Sequence, residues 1–553
     1  MYIAVVPNRN SPPAILLRRG YRENGKSKNQ TLANLSGYSP ERIEALRRAL
    51  KGEFDGVMGD LDPTSDRTFG VLFVLNQLAD RLGIAKALGK DTMGKLALFL
   101  VLARVAHQGS RLSAVRWAKN HCVAEILGLS DFDEKDLYQT LDWVARRQDK
   151  IEEKLFRAYT KSKGAPPILM LYDVSSCYLE GERNEFAAYG FDRDKKKGKK
   201  QIVIGLLTGP DGEPLAVKVF EGNTNDCATV STQIDIIKRR FGIEEVVFVG
   251  DRGMIKSKGK QALGENGLKY ITALTNPQVN KLLKEGVIQF GLFDETVCEV
   301  SHGNLRLVLR RNDAVGHKEE KRRERKIARL TQLLDNRNAF VAQSKLANPE
   351  SGLRTLQDWV KRHKISSFVT LSLDDRQILL TVDDSAKAQA GLLDGCYVLE
   401  TDVAQELLDA KTVDERYRSL QQVERDFRAL KTGFLEIRPL FVRKRDRTRG
   451  HTLIAMLSLK IVREAENLLR QAFPPNKQGH CPVSLKDALD SLGRLCLNRY
   501  KTEKLDFLRL PQLDERQTQI CNALGVFLPT HKSYVMNVDR NLIHNIPNIN
   551  MIN

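Results

Sequence analysis

Apolar residues in the opening sixty positions fall in short runs. MYIAVV and AILLRRGY are followed by the turn-rich ENGKSKNQ and then by TLANL, which predicts a small β-hairpin module with basic loops over 1–60. At Ser39-Pro40-Glu41-Arg42 good capping chemistry opens a helical pattern. From 61 to 160 the apolar positions recur at helical spacing in Val71–Leu82, Lys95–His107, Ala114–Ile126 and Leu137–Tyr159, separated by polar breaks. This predicts a helical region rich in Arg and Lys. Gly109-Ser110-Arg111-Leu112-Ser113 is a candidate start for a DNA-reading helix, with an ordinary packing helix as the alternative.

At residue 165 the pattern changes to strands. Ile168–Asp173 is apolar on both faces, as a central strand of a covered sheet would be, and it ends in an acid followed by small hydroxyl residues. Gln201–Thr208 and Pro214–Phe220 follow, joined by the hairpin-like Gly209-Pro210-Asp211-Gly212-Glu213. Next come a helix from Asp226 to about Phe241, closed by Gly242, and the strand Val246–Gly250 ending at Asp251. A short helix near Lys256–Leu263 and the strand Tyr270–Leu274 complete the series. The expected order is three strands, helix, strand, helix, strand.

Residues 276–400 break that alternation. Strand-like runs (286–290, 305–309, 376–381, 396–399) surround a charged helix, Lys318–Leu334, and predict a β-rich insertion. Two long helices follow, one reaching Lys431 and one over about 449–470. Residues 473–553 read as a helical region and a polar tail, whose last twenty residues are expected to be poorly ordered.

The length of 553 residues exceeds a single core and predicts about three to four domains. Eighty-eight Lys and Arg against 69 Asp and Glu leave +19, an excess that favours a polyanionic partner. The eight Cys form no CxxC pair, which fits reduced thiols in an intracellular protein. The longest apolar run, Leu96–Ala103, is far short of the ~20 residues that cross a bilayer, so no membrane role is expected.

The chemistry lies in the acids. An acid ending a buried strand needs a charged partner, unless it merely caps a loop. Asp173 and Asp251 end two strands of one sheet, and ligands gather at the carboxyl ends of such strands. Two converging carboxylates repel unless a divalent cation neutralises them, and an all-oxygen set with no His or Cys nearby selects Mg2+ or Mn2+. A third carboxylate is expected from the helix carrying Tyr417, Glu424 and Lys431. These are seven apart, nearly two turns, and so share one face. A solvated charged helix is the plainer reading of that stretch.

This set resembles the RNase H-like DDE transposases of bacterial insertion sequences, over about residues 165–470. The match is closest to those with a Tyr-x2-Arg-x3-Glu-x6-Lys signature, with Leu420 standing at the Arg position. Asp173-Val174-Ser175-Ser176, Glu221-Gly222-Asn223-Thr224-Asn225-Asp226, Gly250-Asp251-Arg252-Gly253 and Arg438-Pro439 resemble further family motifs. The resemblance implies an α/β multidomain fold: a mixed RNase H-like sheet in two parts, 165–275 and 401–472, interrupted by the insertion. A mostly helical DNA-binding region would precede it. It further implies that Asp173, Asp251 and Glu424 hold two Mg2+ (or Mn2+) ions for phosphodiester cleavage and strand transfer. The expected partners are terminal inverted repeats, target DNA and a second copy of the chain, in the bacterial cytoplasm. Tyr417, Lys431, Arg252, Arg438 and the loop residues Lys196, Lys197 and Lys199 are the candidate DNA contacts, Lys acting as a point charge on phosphate. The basic run Arg443–Arg449 is weighed in the same way. Trp359 could stack on an unpaired base or simply pack. A Mg2+-dependent nuclease, or a DNA-binding derivative without activity, remains the alternative.

Overall fold

The structure is a computed structural model. It describes residues 1–529 apart from 10, 24–25, 52–62, 182, 192, 195, 197, 295–296, 345, 432–434, 436, 438–439, 477–479 and 502–505. The expectation for the last twenty residues falls outside the described residues.

In chain order the elements begin with β1 (Tyr2–Val6), β2 (Ala14–Glu23), β3 (Lys26–Asn34), α1 (Pro40–Lys51) and β4 (Pro63–Thr68). Six helices follow: α2 (Gly70–Arg81), α3 (Ile84–Leu88), α4 (Thr92–Ala106), α5 (Arg111–Lys119), α6 (Val123–Leu127) and α7 (Glu134–Lys163). Then come β5 (Leu169–Tyr178), β6 (Gln201–Thr208), β7 (Pro214–Glu221), α8 (Asp226–Asp235) with a π turn to Arg240, β8 (Val247–Gly250), α9 (Ser257–Glu265) and β9 (Lys269–Ala273). The segment beyond holds α10 (Asn276–Lys284), β10 (Cys298–His302), β11 (Leu305–Arg311), α11 (Asp313–Gln343), α12 (Pro349–Arg362), β12 (Val369–Asp374), β13 (Gln377–Val382), α13 (Asp384–Gly391) and β14 (Cys396–Thr401). The chain continues with α14 (Ala410–Arg418), α15 (Leu420–Lys431), α16 (Arg445–Ala472), α17 (Leu485–Leu492), β15 (Cys496–Lys501), β16 (Asp506–Arg509) and α18 (Glu515–Leu524).

These elements form two units. One comprises residues 1–70, 491–518 and 527–553. In it β1, β2 and β3 make an antiparallel meander, with Val5 opposite Ile15 and a register shift after Leu17. A second sheet, β16-β15-β4, sets Asn498 opposite Asp66. The sequence reading of helix at both 61–160 and 473–553 misses this sheet. Pro63–Thr68 is polar and turn-like by itself, and it becomes a strand because β15, far along the chain, completes its ladder.

The other unit comprises residues 71–490 and 519–526. Its sheet has the order β10-β11-β14-β9-β8-β5-β6-β7. β5 pairs antiparallel with β6, and β6 with β7, whereas β5–β8 and β8–β9 are parallel. These strand orders and directions are those of an RNase H-like core. Alternation along β5 places Met170, Tyr172 and Val174 in a buried cluster with Val230, Ile234, Ile237 and Phe248. Each large side chain so buried contributes about 1.5–3 kcal/mol. The opposite face is covered by α15 on β5 and α16 on β7. At Gly450 any Cβ would meet the Leu141 carbonyl, so the missing side chain lets α16 cross close to α7.

Three of the helices expected in 71–160 lie close to where periodicity places them, whereas the stretch Ala114–Ile126 is two helices, α5 and α6, broken at Asn120–Cys122, and α3 is additional. Arg111 is not a base-reading residue. It is buried on α5, and its Nη2 donates to Nδ1 of His451 on α16 at 2.8 Å. That bond requires a neutral imidazole. Burial, then the charges of Arg111 and Arg104, hold His451 well below the usual histidine range. Below about pH 6.5 the unfolded chain therefore binds a proton that the folded chain refuses. Stability should fall with acid by about 1.4 kcal/mol per pH unit from this group and be fully present above that range. Denaturant midpoints taken at about pH 5.5 and 7.5 should differ less in His451→Gln than in the native chain.

The segment 276–400 is mostly helical, not β-rich. β10, β11 and β14 are not a separate module either. They extend the main sheet beyond β9, with Leu399 opposite Ala273. β11 and β14 pair up to Arg311 opposite Cys396, and α11, α12, the β12–β13 hairpin and α13 project from that point as a lobe. Leu330, Leu334, Leu356, Val360 and Ile378 form the lobe's own core. Trp359 packs against it and stacks on His363 with ring centroids 3.7 Å apart, which favours packing over base stacking.

Candidate active site

The last rung of the parallel pair β5–β8 joins Tyr172 to Gly250. Asp173 and Asp251 come next on strands that run about 4.8 Å apart. Asp173 does not end its strand, as the sequence suggests. β8 stops at Gly250, but β6 goes on pairing with β5, placing Asp173 opposite Leu206 and continuing to Tyr178. With Tyr172 turned into the buried cluster, Asp173 faces the side that α15 covers.

The long Glu helix is two helices. The chain turns at Ser419, so Tyr417 lies on α14, while Glu424 and Lys431 lie on α15. Leu420, Val423, Phe427 and Leu430 are buried and seat α15. Tyr417 Oη donates to Asp251 Oδ1 at 3.3 Å, and burial followed by Asp251's charge raises its phenol. Asp173, Asp251, Glu424, Arg252, Tyr417 and Leu420 line one cavity of about 420 Å³. Burial, then the charges of Asp251 and Glu424, push the Asp173 carboxyl up to about 7. The Val174 N–H, 2.8 Å from Oδ1, and the charge of Arg193 act the other way.

Several residues that the sequence did not single out build the surroundings. Arg193 pairs with Asp226, the acid of the Gly-Asn turn. A Cβ on Gly253 would lie 3.7 Å from the Asp226 carboxylate and 3.9 Å from that of Asp251, so this position sits beside both acids with room for a small side chain. Asn312, Val315, Glu319 and Tyr397 form the cavity wall on the side of the inserted segment. No local pattern announces them, because they reach the site only through the added strands.

Among the other candidate contacts, Arg252 is exposed at the cavity. Lys431 is buried in an ion pair with Asp194, 2.9 Å apart, and so is committed within the protein. Lys199 pairs with Glu180 at 2.9 Å, and Lys196 lies over the Tyr178 ring at 5.7 Å. Lys197 and Arg438 lie outside the described residues. The run Arg443–Arg449 is largely engaged: Arg445 with Glu221 at 2.7 Å, Arg447 with Asp142 at 3.3 Å and Arg449 with Asp446 at 3.6 Å. Among the described residues no three His, Cys, Asp or Glu side chains stand close enough to hold a metal ion as they are. No described helix is long and apolar enough to cross a membrane.

The sequence profile of the family described as "Transposase DDE domain" matches residues 164–460. That described as "IS1634 family transposase, N-terminal domain" matches residues 3–59. No curated protein matches. Among solved structures, a piggyBac transposase synaptic complex with hairpin DNA is similar at 11% identity and a TM-score of 0.31, over 82% of this chain and 78% of that one.

Proposed function

This chain belongs to the transposase DDE family and is an insertion-sequence transposase, and from that premise we propose that Asp173, Asp251 and Glu424 form its catalytic centre. The observation that carries this is their convergence on one cavity, with the Asp173 carboxyl raised to about 7 by burial and by the other two acids. Such mutual repulsion is relieved by a divalent cation.

Divalent metal ions are general in this family. The residues present fit Mg2+ or Mn2+: the donors are all oxygens, and a carboxyl that resists ionisation gains most from a cation. The lack of a ready trio is compatible, since Mg2+ is usually held by one or two carboxylates with water and substrate phosphate completing its shell. Asp173, Asp251 and Glu424 would hold two such ions. When bound, they would polarise the phosphodiester and make water or a 3′-OH a better nucleophile.

The chain's own side chains supply the rest. Tyr417 holds Asp251 by its hydrogen bond, and Arg252 at the cavity offers positive charge to a phosphate. Leu420 brings an apolar wall where the signature has an Arg. Water attacks first at an element end, releasing a 3′-OH, which then attacks target DNA. The first step replaces a P–O3′ ester bond with P–OH and frees the 3′-OH. The second forms a new P–O3′ ester as it breaks one in the target, and neither needs a covalent protein intermediate. The DNA partners are terminal inverted repeats and target, engaged by two copies of the chain in the bacterial cytoplasm.

The test is joining. Purified protein incubated with a pre-cut 3′-OH end, plasmid and Mg2+ should yield end–plasmid joints. Nicks without joints would make it a nuclease, and intact DNA would make it a binding protein.

A further inference from the structure

α11 spans 31 residues and starts at the cavity, which Asn312, Val315 and Glu319 help to line. Just beyond, Lys318, Lys321, Arg322, Arg325 and Arg329 are all exposed. At about 100° per residue they fall within roughly 100° of arc, and they extend for roughly 17 Å along the axis. The acids of the same stretch lie outside that arc. Glu319 accepts from the Gly395 N–H at 3.1 Å, Glu320 lies 3.6 Å from His317, and Glu324 lines a different cavity. Arg323, turned inward, pairs with Asp394.

Among the described residues none of the five exposed cations makes an ion pair. Arg325 donates to the Lys321 carbonyl at 3.2 Å, and Arg329 bonds Gln332. Lys326 stands on the flank of the stripe beside Arg322. Burial, then Arg322, Arg323 and Lys364, lowers its pKa. Five like charges in a row present a positive potential that attracts an anion of matching length. Duplex DNA, with one phosphate charge per about 1.7 Å of axis, is such an anion.

We propose that this face of α11 is a rail for the duplex flanking the active site, binding its phosphates without reading sequence. The proposal rests on the transposase reading for its partner. Its geometry is independent of the catalytic acids: the rail begins at the cavity that holds them and leads away from it.

The experiment measures affinity of the full chain for a mixed-sequence duplex of about 40 base pairs in potassium chloride from about 50 to 200 mM. With Lys318, Arg322, Arg325 and Arg329 all changed to Gln, the log–log salt slope should become shallower by roughly 3.6, at about 0.9 per phosphate contact. Over that range the native chain would then lose roughly 150-fold more affinity than the variant. Changing the three Arg to Lys should keep the native slope. Asn336→Arg adds a charge to the same exposed face and should steepen the slope by about 0.9, a readout that survives if the Gln variant fails to fold. Slopes that match the native one in both the Gln and the Asn336→Arg variants overturn the rail. Cleavage plays no part in this readout. A native chain that binds steeply but never cuts would sink the catalytic reading alone, and one that cuts while all slopes coincide would sink the rail alone.

Discussion

Asp173→Asn is expected to lower strand cleavage by on the order of 10³-fold or more, while DNA binding stays intact or tightens slightly. The size follows from removing several kcal/mol of charge stabilisation at about 1.4 kcal/mol per tenfold in rate. The sign for binding follows from the cavity. The acids there repel an incoming phosphate, and Asn takes away the partial negative charge that Asp173, pushed up to about 7, carries at neutral pH, with little change in shape. Asp251→Asn and Glu424→Gln should behave alike, because the three acids act as a set and their losses are not additive. End-labelled DNA run on a denaturing gel measures cutting, and a mobility shift measures binding. Cutting at the native rate by Asp173→Asn would remove it from the catalytic centre.

Asp414→Ala is expected to cost about 2–3 kcal/mol of stability, the loss of hydrogen bonds to a buried charged group whose Arg partners stay partly in water. The Asp414 side chain is fully buried on α14. It pairs with Arg310 of β11, lies 3.1 Å from Arg418 Nε and accepts from the Tyr397 hydroxyl of β14. The Ala variant leaves two guanidinium groups facing each other with no anion between them. The same carboxylate ties α14, which carries Tyr417 and Arg418 at the cavity, to the strands that extend the sheet. Cleavage should therefore weaken even where the protein still folds. Denaturant unfolding reads the first effect. A midpoint within about 0.5 kcal/mol of the native value, as for an ordinary surface change, would deny Asp414 this role.

The sequence made the central strands legible because they are buried on both faces, and unbroken apolar runs such as Leu169–Tyr172 have few other uses. The acids Asp173 and Asp251 could be placed from the same runs, although the continuation of β5 through Tyr178 could not. That continuation depends on β6 outlasting β8, a matter of pairing rather than of residues 174–178 themselves. The seven-residue spacing of Tyr417, Glu424 and Lys431 suggested one helix, but the turn at Ser419 carries no Pro or Gly to reveal it. Lys431 looked like a phosphate ligand because Asp194, its partner, is 237 residues away. The inserted segment looked β-rich because its apolar runs were its clearest feature. The charged α11 has only a thin apolar seam, Leu330, Leu334 and Val341, and therefore gave a weak helical signal at its ends.

The lobe leaves the sheet at Arg311 and returns at Cys396, two residues that face each other across one ladder. A chain that departs and comes back through a single doorway puts little strain on the house. Doubling the length of a flexible excursion costs only about 0.6 kcal/mol in closure entropy, so a longer or shorter lobe is expected to leave the pairing of β11 with β14 in place. Splicing it down to a tight hairpin would strip away one wall of the cavity, yet Asp173, Asp251 and Glu424 would keep their own backbone supports.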